Sequence, residues 1–339
     1  MQQGRGMKLL VLGGTAFLGR HVVAEALTRG YHVTTFNRGQ SGPDADGAEA
    51  VRGDRTSRGD LEQLRSRTYD AVVDTSGFDP RSVRLGLDVL ADVGHYTFVS
   101  SISVYKDWPG ELVNEESPVF DCPPDAGPGI EYGAGKAGVE QAVTDALGDR
   151  ALLVRAGLIL GPYENVGRLP WWLRRAARGG DMLAPGNPDR KMQLIDARDL
   201  AAWMLDCAAA GVGGTYNASG PTGNATMGSW LGSCVEVTGG TARLVWAHDD
   251  LLLTQDVEPW SELPLWAPDT AEYAGIWAAS TTRAEAAGLQ CRPVADTVAD
   301  TWAWLRTQPE IDDAPPRGLP AAGIDPAKEQ AILREVVTG

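Results

Sequence analysis

Met7 to Leu12 is apolar except at Lys8, the pattern of a central parallel strand covered on both faces. Tyr31 to Phe36, Glu49 to Arg52, Tyr69 to Asp74 and His95 to Val99 read as further strands, the last running into Ser100-Ser101. Phe17 to Arg29 and Arg81 to Ala91 read as helices between them, and Glu131 to Leu147 as a helix after them. Strands alternating with helices demand a parallel sheet with right-handed crossovers. The first half is therefore predicted to be an α/β unit with a doubly wound sheet.

Beyond residue 150 the pattern weakens. Lys191 to Ile195 and Gly214 to Ala218 are expected to return to the main sheet as strands, and Val294 to Leu305 reads as a packing helix. Asp249 to Asp269 has no strong period and reads as a loop-rich cap. The expected organisation is a first domain over 7–162, joined by 190–220, with a smaller C-terminal substrate-binding lobe over 163–189 and 221–308. A Pro/Gly/Asp linker, Pro309 to Gly323, then leads within 309–339 to a last helix, Pro326 to Val337. Residues 1–6 are polar and expected to be disordered. Ten of the eleven tryptophans follow residue 150. Most are expected in the core of the lobe, with Trp171 and the Trp260 to Trp266 segment as candidate pocket walls.

Three short motifs carry the chemistry. Gly13, Gly14, Thr15, Ala16, Phe17, Leu18 and Gly19 form a turn between the first strand and the first helix. Gly13 and Gly14 allow a sharp bend close to a pyrophosphate, the helix amides point at its charge, and Gly19 seats the helix on the strand. Ala16 stands in the middle glycine position and is tolerated where the backbone avoids positive φ. Asn37-Arg38 ends the second strand, where an adenosine ribose would lie. Gly53-Asp54, with Arg55 next, follows the third strand, where an acid can accept an adenine amino group; Ser76 and Gly77 follow the fourth. An acid at the end of strand two favours NAD, so Asn37 followed by Arg38 favours NADP over NAD.

Ser101, Tyr132 and Lys136 supply a hydroxyl, a phenol and an ammonium. Tyr132 and Lys136 are four apart in a helical segment and share one face. A free phenol has a pKa of about 10, and lowering it to about 7 needs roughly 4 kcal/mol of differential stabilisation of the phenolate. A nearby ammonium and an oxidised nicotinamide can supply it in a dry cleft, with Ser101 hydrogen-bonding the reacting oxygen.

With these residues the chain resembles the extended short-chain dehydrogenase/reductases, the NAD-dependent epimerase/dehydratase family, over roughly residues 7 to 305. The resemblance also rests on Ser100 to Tyr105 (S-S-x-x-V-Y), Arg155 to Pro162 and Ile195 to Ala201. It implies a Rossmann-like fold, with Ser101, Tyr132 and Lys136 in the catalytic positions. Ile102 and Ser103 replace the Asp-Glu pair of sugar-nucleotide dehydratases. Leu158 replaces the substrate asparagine of UDP-galactose epimerase-like enzymes, and Met192 their phosphate-binding arginine, with Arg190 and Lys191 adjacent. The dinucleotide machinery is thus expected to be intact and the nucleotide-sugar grip weakened. Ala16 and this pattern also resemble a divergent subgroup that includes chloroplast stem-loop RNA-binding proteins.

Composition narrows the partners. A formal net charge of −15, from 45 acids and 30 bases, disfavours nucleic acid and anionic membranes. Arg174, Arg175 and Arg178 are expected on the solvated face of a helix. Cys122, Cys207, Cys234 and Cys291 lack C-x-x-C spacing and no secretory leader accompanies them, so reduced thiols in a cytoplasmic protein are expected. His21, His32, His95 and His248 have no metal-ligand spacing, so no metal is expected, and no apolar stretch approaches a membrane span. The leading expectation is an NAD(P)-dependent oxidoreductase or epimerase acting on a secondary alcohol or ketone of a small molecule, with a sugar-like substrate and a homodimer both compatible. The alternative is a non-catalytic NAD(P)-binding regulator or RNA-binding relative.

Overall fold

The computed structural model describes residues 6–308 and 323–338. The first half runs β1 (Lys8–Leu12), α1 (Phe17–Thr28), β2 (His32–Asn37), β3 (Glu49–Arg52), α2 (Arg58–Arg65), β4 (Ala71–Asp74), α3 (Pro80–Val89), β5 (His95–Ser101), α4 (Tyr132–Leu147) and β6 (Ala151–Ala156). The second half runs β7 (Leu158–Leu160), α5 (Arg168–Ala177), β8 (Gly180–Pro185), β9 (Lys191–Met192), β10 (Leu194–Asp196), α6 (Ala197–Ala210) and β11 (Gly214–Ala218). It continues with β12 (Ala225–Thr226), α7 (Met227–Val237), β13 (Ala242–Ala247), α8 (Asp249–Thr254), β14 (Pro259–Trp260), β15 (Leu263–Pro264), α9 (Thr282–Ala286), α10 (Val294–Leu305) and α11 (Pro326–Thr338).

Seven parallel strands in the order β11-β6-β5-β4-β1-β2-β3 form the central sheet. This is a Rossmann-like doubly wound fold, and the order reverses between β1 and β4, where such sheets open a crevice. The apolar run of β1 shows why the sheet is covered on both sides. Leu9 and Val11 enter the core beneath α1 and α6, while Leu10 and Leu12 enter the opposite core beneath α2, α3 and α4.

The Lys191 to Ile195 expectation is corrected. β9 pairs antiparallel with β12, and β10 pairs with β7, so neither joins the main sheet. Gln193, buried between them, causes the break: its amide nitrogen donates to Gly220 O, Thr222 Oγ1 and Ala279 O, and its carbonyl accepts from Ala279 N. Gly214–Ala218 does lie in the sheet, on its edge. The sheet forks at Gly157, where a Cβ would stand 2.5 Å from Ser219 Oγ, so that β6 stays in the main sheet and β7 leaves it.

The second lobe packs around Trp172, Trp230 and Trp266. Trp266, in the segment expected to wall a pocket, is buried because its indole donates to Asp249 Oδ1 at 2.8 Å. Trp171 stands edge-on to Trp172 with ring centroids 4.7 Å apart. The Asp249 to Asp269 region is more ordered than its pattern suggested, since it holds α8 and the β14–β15 pair. Arg175 is also corrected: it is buried, not solvated, because it pairs with Glu329 of α11 at 2.7 Å. The expected linker falls on residues 309–322, and most of the expected N-terminal tail on residues 1–5; both lie outside the described residues. Among the described residues no helix is long and apolar enough to cross a membrane.

Candidate active site

The turn after β1 has the conformation its glycines allow. Gly13 and Gly14 sit at φ +111° and +93°. Ala16 lies at φ −122°, an extended angle at which its methyl costs nothing. At Gly19 a Cβ would come within 2.8 Å of Gly14 N and 2.9 Å of Thr75 Oγ1, so the helix rests directly on the turn. Phe17 opens α1 at φ +28°, a strained angle for a side-chain-bearing residue.

Beside this turn, at the C-terminal ends of β2, β3 and β4, lies a cleft of about 470 Å³. Gly13, Thr15, Asn37, Arg38, Asp54, Arg55 and Ser76 line it, whereas Ala16, Phe17, Leu18, Gly19 and Gly77 do not. The sequence reading missed Gly39 to Ser41 and the exposed Phe78 with Asp79 on the opposite wall.

Three of the lining side chains are already committed. Asn37 Oδ1 accepts from Gly39 N (2.8 Å) and Arg52 (3.0 Å), while Nδ2 donates to Thr35 Oγ1 (3.3 Å) and Asp44 Oδ1 (3.2 Å). Its four hydrogen-bonding positions are thus spent within the protein. Asp54 accepts from the Thr56 amide and hydroxyl, which hold its carboxyl below the usual range. Arg55 reaches across the floor of the cleft to Asp74, at 2.9 and 2.8 Å, and also donates to Ser76 Oγ. Asp74 is fully buried and accepts from Tyr96 as well. Burial opposes its ionisation, but the Arg55 charge and these hydrogen bonds outweigh it and lower its pKa. Arg38 stands exposed on the rim.

Ser101, Tyr132 and Lys136 meet at the ends of β5 and α4. Gly133 makes this possible, because a Cβ there would lie 2.0 Å from Ser103 O. The start of α4 therefore seats on the Ser101–Ser103 turn. Lys136 is 3% exposed and donates to Gly77 O and Val99 O, both at 2.8 Å. Its ammonium lies 4.9, 4.8 and 5.9 Å from the ring centroids of Phe78, Phe98 and Tyr132. Desolvation brings its pKa down to about 8. Half of Tyr132 is exposed, yet desolvation raises its pKa, with the Ser101 hydroxyl and the Arg168 charge pulling the other way. Ser101 Oγ donates to Ser103 Oγ and accepts from Ser103 N. Phe78 borders both the cleft and Lys136, so the two regions are continuous.

Behind them lies a buried network that the sequence did not reveal. Ser100 Oγ donates to Glu140 at 2.6 Å, Glu140 pairs with Arg155 at 2.7 Å, and Arg155 donates to Tyr105 Oη at 2.9 Å. Tyr105 in turn donates to Asn217 Oδ1 at 2.6 Å, and Asn217 donates to Ser280 O in the second lobe. A glutamate one helical turn beyond Lys136 was the available signal. Leu158 and Met192, two of the positions read as departing from nucleotide-sugar enzymes, are core: Met192 is fully buried, and Leu158 packs in the same lobe. Neighbouring Arg190 pairs with Asp269 at 3.1 Å.

The family model described as NAD dependent epimerase/dehydratase family matches residues 9–219. The chain belongs to that family. Among solved structures, a UDP-glucose 4-epimerase aligns with TM-score 0.68 at 20% identity, covering 89% of this chain and 98% of that one. The Bordetella bronchiseptica enzyme WbmH, solved with NAD+, aligns with TM-score 0.67 at 17% identity, covering 89% and 98%. These likenesses show the fold. A curated relative, the chloroplast stem-loop binding protein of 41 kDa b from Arabidopsis thaliana, is 26% identical over 214 residues. That match takes in 59% of this chain and about half (54%) of the relative's length.

Proposed function

We propose that this protein is an NAD(P)-dependent oxidoreductase or epimerase of the extended short-chain dehydrogenase type. Its substrate is a secondary alcohol or ketone of a small, sugar-like molecule, taken up against residues 163–189 and 221–308. The observation that carries this reading is Lys136, an ammonium buried between two carbonyls beside the Tyr132 ring and one side chain away from the dinucleotide cleft. A bound nicotinamide supplies the hydride donor or acceptor. Tyr132 takes the proton from the substrate hydroxyl, or returns it to the carbonyl oxygen, and Ser101 holds that oxygen. Burial alone raises the phenol's pKa, so the reaction depends on positive charge from Lys136 and the oxidised ring to oppose it.

NADP is favoured over NAD. Arg38 is exposed at the rim, Asn37 carries no charge, and Asp44, hydrogen-bonded to Asn37, is neutralised by Arg52. A cytoplasmic location fits four cysteines that form no disulfide.

The stem-loop binding relative favours a second reading, a non-catalytic RNA-binding protein. The charge of −15 and the retained Ser101, Tyr132 and Lys136 weigh against it. A metabolite screen following the absorbance of the reduced nicotinamide tests the enzyme reading, with Tyr132→Phe as control. Turnover that Tyr132→Phe leaves unchanged defeats the mechanism. Saturable submicromolar binding to a structured RNA at about 0.15 M salt brings the second reading forward.

A further inference from the structure

The segment between β2 and β3 carries no helix or strand, yet its first residues form one rim of the cleft. Two glycines let it lie flat. Gly39, at φ +68°, has Arg52 Nε where a Cβ would be 2.8 Å away, and Gly42, at φ +149°, has Thr15 O at 2.9 Å. The rim is thus pressed against a guanidinium on one side and the phosphate turn on the other. Asp44 closes it. Its Oδ1 accepts from Arg52 at 3.1 Å and from Asn37 at 3.2 Å, and its other oxygen makes the ion pair with Arg52. Arg52 also donates to Asn37, whose carbonyl accepts the Gly39 amide. Neither Asp44 nor Arg52 lines the cleft; Arg38, between Asn37 and Gly39, does.

We propose that Asp44 is a specificity-determining residue: with Arg52 and Asn37 it ties down the rim that presents Arg38, and so sets the preference for adenosine carrying a 2′-phosphate. A guanidinium on a loose loop loses conformational freedom when it grips a phosphate, and a tied rim reduces that loss. The inference rests on the dinucleotide reading and on its NADP preference, and it adds a residue outside the cleft. The competing role for Asp44 is a screen that keeps Arg52 from becoming a second phosphate ligand.

Titration calorimetry with 5′-AMP and adenosine 2′,5′-bisphosphate separates these roles without a known substrate. Wild type should bind the bisphosphate about tenfold tighter or more, the scale of a charge-assisted phosphate contact. Asp44→Asn and Arg52→Met should each bring that ratio close to one, with 5′-AMP affinity and thermal midpoint little changed. Arg38→Ala should do the same, and adding Asp44→Asn to it should change nothing further. An unchanged ratio in Asp44→Asn overturns the proposal. So does a raised ratio in Asp44→Asn alongside a lowered one in Arg52→Met, the signature of the screen. A wild type that binds 5′-AMP with a ratio of one defeats the NADP preference and this proposal, leaving the dinucleotide reading intact. Binding of neither nucleotide defeats the dinucleotide reading itself.

Discussion

Two ion pairs hold the two ends of the site, and they are built on opposite terms. Glu140 and Arg155, behind Ser101, are 6% and 7% exposed and surrounded by Ser100, Tyr105 and Asn217. Asp44 and Arg52, behind the rim of the cleft, are 19% and 49% exposed. A buried pair must be fully hydrogen-bonded to offset its desolvation and is costly to break; an exposed pair contributes little to stability. The first pair thus bears on the stability of the fold, and the second on the placement of the rim that it ties to Asn37.

That contrast can be broken in order of expected effect. Tyr132→Phe should keep the fold and nucleotide affinity but lower turnover by about 10²–10⁴. Glu140→Ala should lower the unfolding free energy by roughly 3–5 kcal/mol, read from a urea midpoint. Arg52→Met should barely move that midpoint. If the two behave alike, the distinction between the ends is wrong. Arg38→Ala should cost NADP about tenfold in affinity and NAD little, by titration calorimetry. A further test is in pH. Lys136 has a folded-state pKa of about 8, below the 10.5 of an exposed lysine. A depressed folded value means stability that is fully present above pH 10.5 and is lost as pH falls to 8. The unfolding free energy of wild type minus that of Lys136→Met should therefore rise between pH 8 and 10.5. A flat difference would show that Lys136 titrates as in water.

The first half was legible because a strand buried on both faces leaves an uninterrupted apolar run. β3 has the ends read from sequence, and β1, β2 and α1 differ only slightly. The split at Gln193 was not legible, since one buried amide bonds to three residues that are distant in sequence. The committed state of Asn37 was hidden for a similar reason. Its position at the end of β2 was readable, but its partners Asp44 and Arg52 are brought to it by a loop and by the next strand. Arg55, in the loop after β3, reaches Asp74 of β4 although β1 and β2 stand between those strands, a meeting set by strand order rather than by spacing in sequence.

The fork at Gly157 ties the fates of the two halves. One chain passes from the main sheet into the second lobe there, and Gly157 N donates to Ala218 O on the sheet's edge strand. Asn217 and Gln193 add hydrogen bonds to Ser280 and Ala279 on the lobe side. Opening the halves like a hinge would tear a strand pairing and strip buried amides of their partners. The molecule should therefore melt as one cooperative unit, with the second lobe acting less as a separate module than as the far wall of the same room.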